Sequence, residues 1–139
     1  MTTIFVVWND KRITGIPIID DQHRGILSTM NSLFYFMRKR SSTNTIINLT
    51  TSLEQHINIH FAVEENMLRE TRYDKAEEHA KYHIEISKKM RTLSAKLRHS
   101  GNAADLLIFL KTLWKDHIEV HDMAYKQHVD SFLRSRYDA

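Results

Sequence analysis

The chain has no cysteine, a single proline and three glycines in 139 residues. Without cysteine there is no disulfide staple and no thiolate to serve as ligand or nucleophile, and a reducing cytoplasm is the simplest home. So little glycine and proline leaves few turns for a β-sandwich or barrel. No window approaches the roughly 18 apolar residues of a membrane span. The start, Met1-Thr2-Thr3-Ile4, lacks the basic end and long apolar core of a signal peptide. Net charge is only +3 and the lysines and arginines are scattered. A nucleic-acid surface needs a basic stripe or interleaved aromatics, and neither is present. The expected partners therefore include neither nucleic acid nor membrane.

What is abundant is leucine, methionine, lysine, glutamate, alanine and, unusually, nine histidines. The length suits one domain with a real core, spanning 1–139. Its composition predicts an all-α fold. Residues 1–19 read as an extended arm: Ile4, Phe5, Val6, Val7 and Trp8 are β-branched or aromatic, and Gly15 and Pro17 punctuate its end. This arm is expected to pack over the helices with Trp8 as its anchor. Asp20 or Asp21 looks like a helix N-cap. From there His23, Ile26, Leu27, Met30, Leu33, Phe34 and Met37 follow the i, i+3, i+4, i+7 template. Three further helices carry inward stripes: Ile46, Leu49, Leu53, Ile57, His60, Glu64, Met67 and Leu68; then Ala76, His79, His83, Ile86, Met90, Leu93 and Leu97; then Leu106, Leu110, Leu113, His117 and Val120. Gly101 caps the third helix. Helices at about 20–39, 45–70, 75–99 and 103–136, joined by short loops, make an up-down-up-down antiparallel four-helix bundle.

The polar members of those stripes carry the chemistry. His60 and Glu64, and again His79 and His83, lie four residues apart, so each pair faces one way on a helix. Imidazole and carboxylate suit iron, zinc, manganese or copper. Asp122 follows His117 by five residues, about 500° on an ideal helix, or roughly 140° off the face. A π turn aligns i with i+5, so a bulge or kink is expected between them. A single buried histidine is ordinarily a satisfied core residue, and a lone buried glutamate turns to solvent. Several such groups on the inner stripes of four helices would instead carry a desolvation penalty of several kcal/mol. A shared metal site removes it. His56, His99, His121 and His128 fall off the stripes and read as surface or satisfied residues.

Taken together, Trp8, Asp20-Asp21-Gln22-His23, His60-Phe61-Ala62-Val63-Glu64-Glu65, His79 with His83, and His117-Ile118 with Asp122 resemble the bacterial hemerythrins over nearly the whole chain. The family includes myohemerythrin, a type example of the up-down-up-down bundle. The resemblance implies a non-haem di-iron centre with an oxo or hydroxo bridge. His79, His83 and His117 would hold one iron, His23 and His60 the other, with Glu64 and Asp122 bridging. Two octahedral irons offer about twelve positions, and these ligands leave one vacant. Dioxygen would bind there reversibly as a hydroperoxide, in a dry pocket made by Ile26, Phe61, Leu113 and Ile118. The family usually has Trp-Leu beginning four residues before the last histidine. This chain has Leu113-Trp114, which suggests a roomier, wetter pocket and faster autoxidation.

The implied role is oxygen storage, delivery or sensing rather than catalysis. The main alternative is an oxygen- or redox-sensing input domain, with autoxidation as its signal and a fused or separate output domain as partner. A ferritin-like oxidase would show more carboxylates and Glu-x-x-His motifs. A structural zinc site would not keep a vacancy.

Overall fold

The computed structural model describes residues 5–137, so Ile4 at the start of the arm and Asp138 and Ala139 at the end of the chain lie outside the described residues. Among the described residues there is no strand. Helix α1 spans Pro17–Arg38, α2 Thr43–Glu70, α3 Ala76–Ser100 and α4 Ala104–Leu113; the same rod continues as a π segment, Trp114–Asp122, and ends in α5, Lys126–Tyr137. The connections at 39–42, 71–75 and 101–103 are too short to let successive rods run parallel. Helix α1 packs on α2, α2 on α3, α3 on α4 and α4 back on α1, which closes the bundle. Among the described residues no helix is long and apolar enough to cross a membrane.

Two apolar clusters fill the bundle. The larger runs from Leu33, Ile46, Leu97 and Leu106 down to Ile26, Phe61, Trp114 and Ile118. The smaller gathers Ile16, Ile19, Leu68, Ala76, Tyr125 and Val129. Truncating a fully buried leucine such as Leu110 costs about 2–5 kcal/mol. The polar members of the stripes belong to neither cluster.

Local signals account for most helix ends. Ser42 caps α2 by accepting from the Thr45 N–H. Gly101, at φ 73°, takes the left-handed cap of α3, which costs glycine nothing.

Helix α1 corrects two expectations. It begins at Pro17, three residues before the expected start, because the fixed φ of proline suits the first helical position and its missing N–H is not needed there. Residues 17–19 are thus helix rather than arm, and neither Asp20 nor Asp21 is the N-cap. Asp20 instead folds back, buried, and its carboxylate accepts from the Thr14 N–H at 2.8 Å, the Thr14 hydroxyl at 2.8 Å and the Gly15 N–H at 3.0 Å. That clamp fixes how the arm enters the bundle.

Among the described residues of the arm, a 3-10 turn at Asp10–Arg12 is flanked by extended Asn9 and Ile13. The Asn31 side chain accepts from the Phe5 and Val6 N–H groups and donates to the Val6 carbonyl, holding the arm like a neighbouring strand. Phe5 stacks on Phe34 with ring centroids 5.0 Å apart, and Trp8 meets Trp114 edge-on at 6.3 Å.

The fourth rod corrects a third expectation. Val120 is 62% exposed, not inward. An ideal helical period carried past His117 points it inward; the wider π turns rotate it out and bring Ile118 and Asp122 in.

Candidate metal centre

Between the two apolar clusters lies a layer of seven side chains from all four rods. His23 comes from α1, His60 and Glu64 from α2, His79 and His83 from α3, and His117 and Asp122 from the π segment. None is more than 7% exposed. The α2 and α3 pairs follow from regular four-residue spacing. The pair on the fourth rod, His117 and Asp122, depends on the π register, without which Asp122 would face away.

The geometry divides the layer into two sets. His79, His83 and His117 gather with Glu64, and His23 and His60 gather with Glu64 and Asp122; within each set the donor atoms lie within 4.8 Å of one another. The two carboxylates face both sets. Glu64 Oε1 contacts His79 Nε2 and lies 3.0 Å from His83 Nε2, while its Oε2 lies 3.2 Å from His60 Nε2. Asp122 Oδ1 lies 3.1 Å from His117 Nε2 and 3.3 Å from His79 Nε2, while its Oδ2 lies 3.0 Å from His23 Nε2. Each acid thus sends one oxygen to each histidine set.

Imidazole nitrogens also face each other: His23 and His60 at 3.1 Å, His83 and His117 at 3.0 Å. Two such nitrogens can share at most one proton comfortably, but both can donate lone pairs to a cation. The donor set therefore fits metal better than protons.

Further residues aim the ligand candidates. His60 Nδ1–H donates to Gln22 Oε1 at 2.8 Å, and His83 Nδ1–H donates to Glu65 Oε2 at 3.1 Å. Each bond holds the tautomer that turns Nε2 toward the centre. The Tyr125 hydroxyl, fully buried, donates to Glu64 Oε2 at 2.9 Å. Phe61 stacks flat on His83 at 3.7 Å, and Tyr82 stacks on His117 at 5.2 Å.

Electrostatics record the crowding. Burial pulls the pKa values of His60 and His79 down, but hydrogen bonds and attraction to Asp122 and Glu64 outweigh it and push both up to about 9. Burial raises Glu64 and Asp122, yet the surrounding histidines hold both carboxyls below their ordinary range. Burial dominates at His117, which is lowered. It also dominates at Tyr125, reinforced by the Glu64 charge, and raises that phenol strongly.

Four residues around the centre are not among the expected site residues. Gln22 and Glu65 stand beside His23 and Glu64 in the motifs but are half-exposed and give no stripe signal. Tyr125 follows Asp122 by three residues, one helical turn, which is the signal that could mark it. Trp114 stands four residues after Leu110 and three before His117, a helical spacing that could mark it, and it is 1% exposed and edge-on to His23 at 6.2 Å. The residues expected around the pocket, Ile26, Phe61, Leu113 and Ile118, are all buried. The side chain that reaches His23, however, is the Trp114 indole. His56, His99 and His121 are exposed, and His128 bonds the Thr71 carbonyl at 2.6 Å.

Comparison with known proteins decides the family. The model of the hemerythrin HHE cation-binding domain matches residues 14–129. The chain belongs to the hemerythrin family. A bacteriohemerythrin from Stenotrophomonas maltophilia is 27% identical over 136 residues, covering 93% of this chain and 87% of the relative. One from Clostridium acetobutylicum is 26% identical over 125 residues, covering 86% of this chain and 97% of the relative. Myohemerythrin from Sipunculus nudus is 27% identical over 120 residues, covering 86% and 90%. In this hemerythrin domain the matched segment contains all seven converging side chains.

Proposed function

We propose that this hemerythrin domain binds dioxygen reversibly at a non-haem di-iron centre, for storage, delivery or sensing, and that 1–139 forms one such domain. His79, His83 and His117 would hold one iron, and His23 and His60 the other. Glu64 and Asp122 would span the pair. The observation that carries this reading is the two-faced arrangement of the carboxylates, each with one oxygen toward each histidine set. A single-metal site needs no such sharing.

Bound there, the irons would supply the electrons that dioxygen binding requires. The chain's part is to orient, shield and leave room. Gln22 and Glu65 hold the imidazole tautomers. Tyr125 keeps a donor on Glu64 and fixes that carboxylate's rotation. The His23–His60 set has two imidazoles where the other set has three, so an iron held there would keep the open position. Ile26, Phe61, Leu113 and Ile118 keep water away.

The sensing alternative draws its weight from a pocket widened at Leu113. The buried Trp114 indole beside His23 occupies space there, which favours a protected, reversible site over rapid autoxidation. The set is rich in imidazole, with two acids, which favours binding over ferritin-like oxidase chemistry. The test is the visible spectrum of iron-loaded protein through repeated cycles of reduction, oxygenation and argon. A charge-transfer band that returns with each cycle supports the proposal. A protein that is bleached or oxidised after one exposure contradicts reversibility.

A further inference from the structure

Two surface depressions approach the His23–His60 side of the centre. The larger, about 570 Å³, lies beneath the arm and is lined by Trp8, Arg12, Lys111, Trp114, Lys115 and Glu119 among others. It is charged, with Arg12 paired to Glu119 at 2.6 Å, and the buried Trp114 indole stands between it and His23. The smaller, about 220 Å³, opens between α1 and α2 and is lined by Gln22, Gly25, His56 and Ile59. Gln22 in its lining has its Oε1 2.8 Å from Nδ1 of His60, whose Nε2 faces the centre.

Gly25 is the odd residue of this cleft. It sits inside α1, where glycine weakens a helix relative to alanine. No left-handed backbone angle demands it, and a Cβ built there meets nothing within 4 Å. Neither conformation nor packing explains the glycine. What it leaves is empty space, opposite the 59%-exposed Ile59 and next to the buried Ile26.

We propose that the Gly25 cleft is the entry portal for small apolar gases, dioxygen above all, to the His23–His60 side. This rests on the dioxygen reading above. The cleft carries no acid, lysine or arginine and presents mostly apolar surface, which suits a gas, whereas the larger groove is charged and closed by Trp114. A portal acts on rates and not on equilibrium, because it is passed equally in both directions. Filling it slows entry and escape together.

Two measurements test this on the iron-loaded 139-residue chain. Crystals pressurised with xenon should show a xenon atom between Gly25 and Ile59, and Gly25→Leu should abolish it. Flash photolysis of the oxygenated protein should show Gly25→Leu lowering the association and dissociation rates together, five- to tenfold, with Kd unchanged within twofold. Ile59→Trp closes the same mouth from α2 and should act alike, which covers a failure of the first variant to fold. Gly25→Ala should raise Tm by a few degrees. No xenon in the cleft, or unchanged rates in variants that still bind dioxygen, would overturn the portal. Xenon seated in a protein that takes up iron but no dioxygen would overturn the dioxygen reading and leave the gas cleft standing.

Discussion

Helix α3 and the π segment each deliver two side chains to the same centre by different means. His79 and His83 are four residues apart and reach it on an ordinary helix. His117 and Asp122 are five apart and reach it only because the backbone widens between Trp114 and Asp122. The first pair is written in side-chain spacing alone. The second needs backbone conformation as well, and its wide turn carries Val120 outward and leaves Tyr125 buried beside the centre. A register that departs from the regular helix is kept where a site requires it.

Single-residue deletions give the largest expected contrast. Removing Lys81 from α3 rotates everything beyond it by about 100° on one side of the deletion. It should abolish the binding of at least one iron per chain, read by metal analysis. Removing Val120 shortens the five-residue spacing to four, so an ordinary helix would then align His117 with the following acid. That variant should keep both irons. Loss of both irons on deleting Val120, with retention on deleting Lys81, would invert the comparison.

The next effect is at Glu64, the acid that faces all the histidines but His23 in direct contact. Glu64→Ala should eliminate paired metal binding, whereas His121→Ala, at an exposed position off the centre, should leave it intact. Visible spectra and iron content distinguish the two.

Chelated, metal-free protein should be sensitive to pH. His60 and His79 are raised from 6.5 to about 9, so their stabilising charge is fully present below about 6.5 and is lost as pH rises through 9. Glu64 and Asp122 are lowered, so their contribution is present above the ordinary carboxylate range and is lost as pH falls below it. Urea midpoints should therefore fall between pH 7 and 10 without metal. With iron bound in place of the protons, the alkaline fall should vanish. An equal alkaline fall in both forms would contradict the charge assignment.

Smaller still is Tyr125→Phe, which removes one buried hydrogen bond to a carboxylate and should cost about 1.5–3 kcal/mol in urea unfolding. Smallest is Val120→Ser, at an exposed π position, expected within about 0.5 kcal/mol. A large loss at Val120 would put it back in the core.

The same contrast explains how much of the molecule is legible in its sequence. The bundle, its loops and the α2 and α3 pairs are legible because a 3.6-residue period and a four-residue spacing coincide there. The need for a bulge is legible because His117 sits on the stripe and Asp122 does not. Val120 misleads because the ideal period, extended through the very turns that break it, points the side chain inward. Asp20 misleads because an acid before an apolar stripe resembles a cap, while Pro17 has already started the helix. Trp114 is legible by ordinary spacing, four residues after Leu110 and three before His117, whereas Tyr125 can be marked only once Asp122 is placed inward by the π register.

Iron content measured beside dioxygen uptake tests the central claim most directly. The reduced, loaded protein should hold two irons per chain and take up one dioxygen per pair, releasing it under argon. A chain that holds one iron or none, or two irons without any dioxygen uptake, would contradict the account.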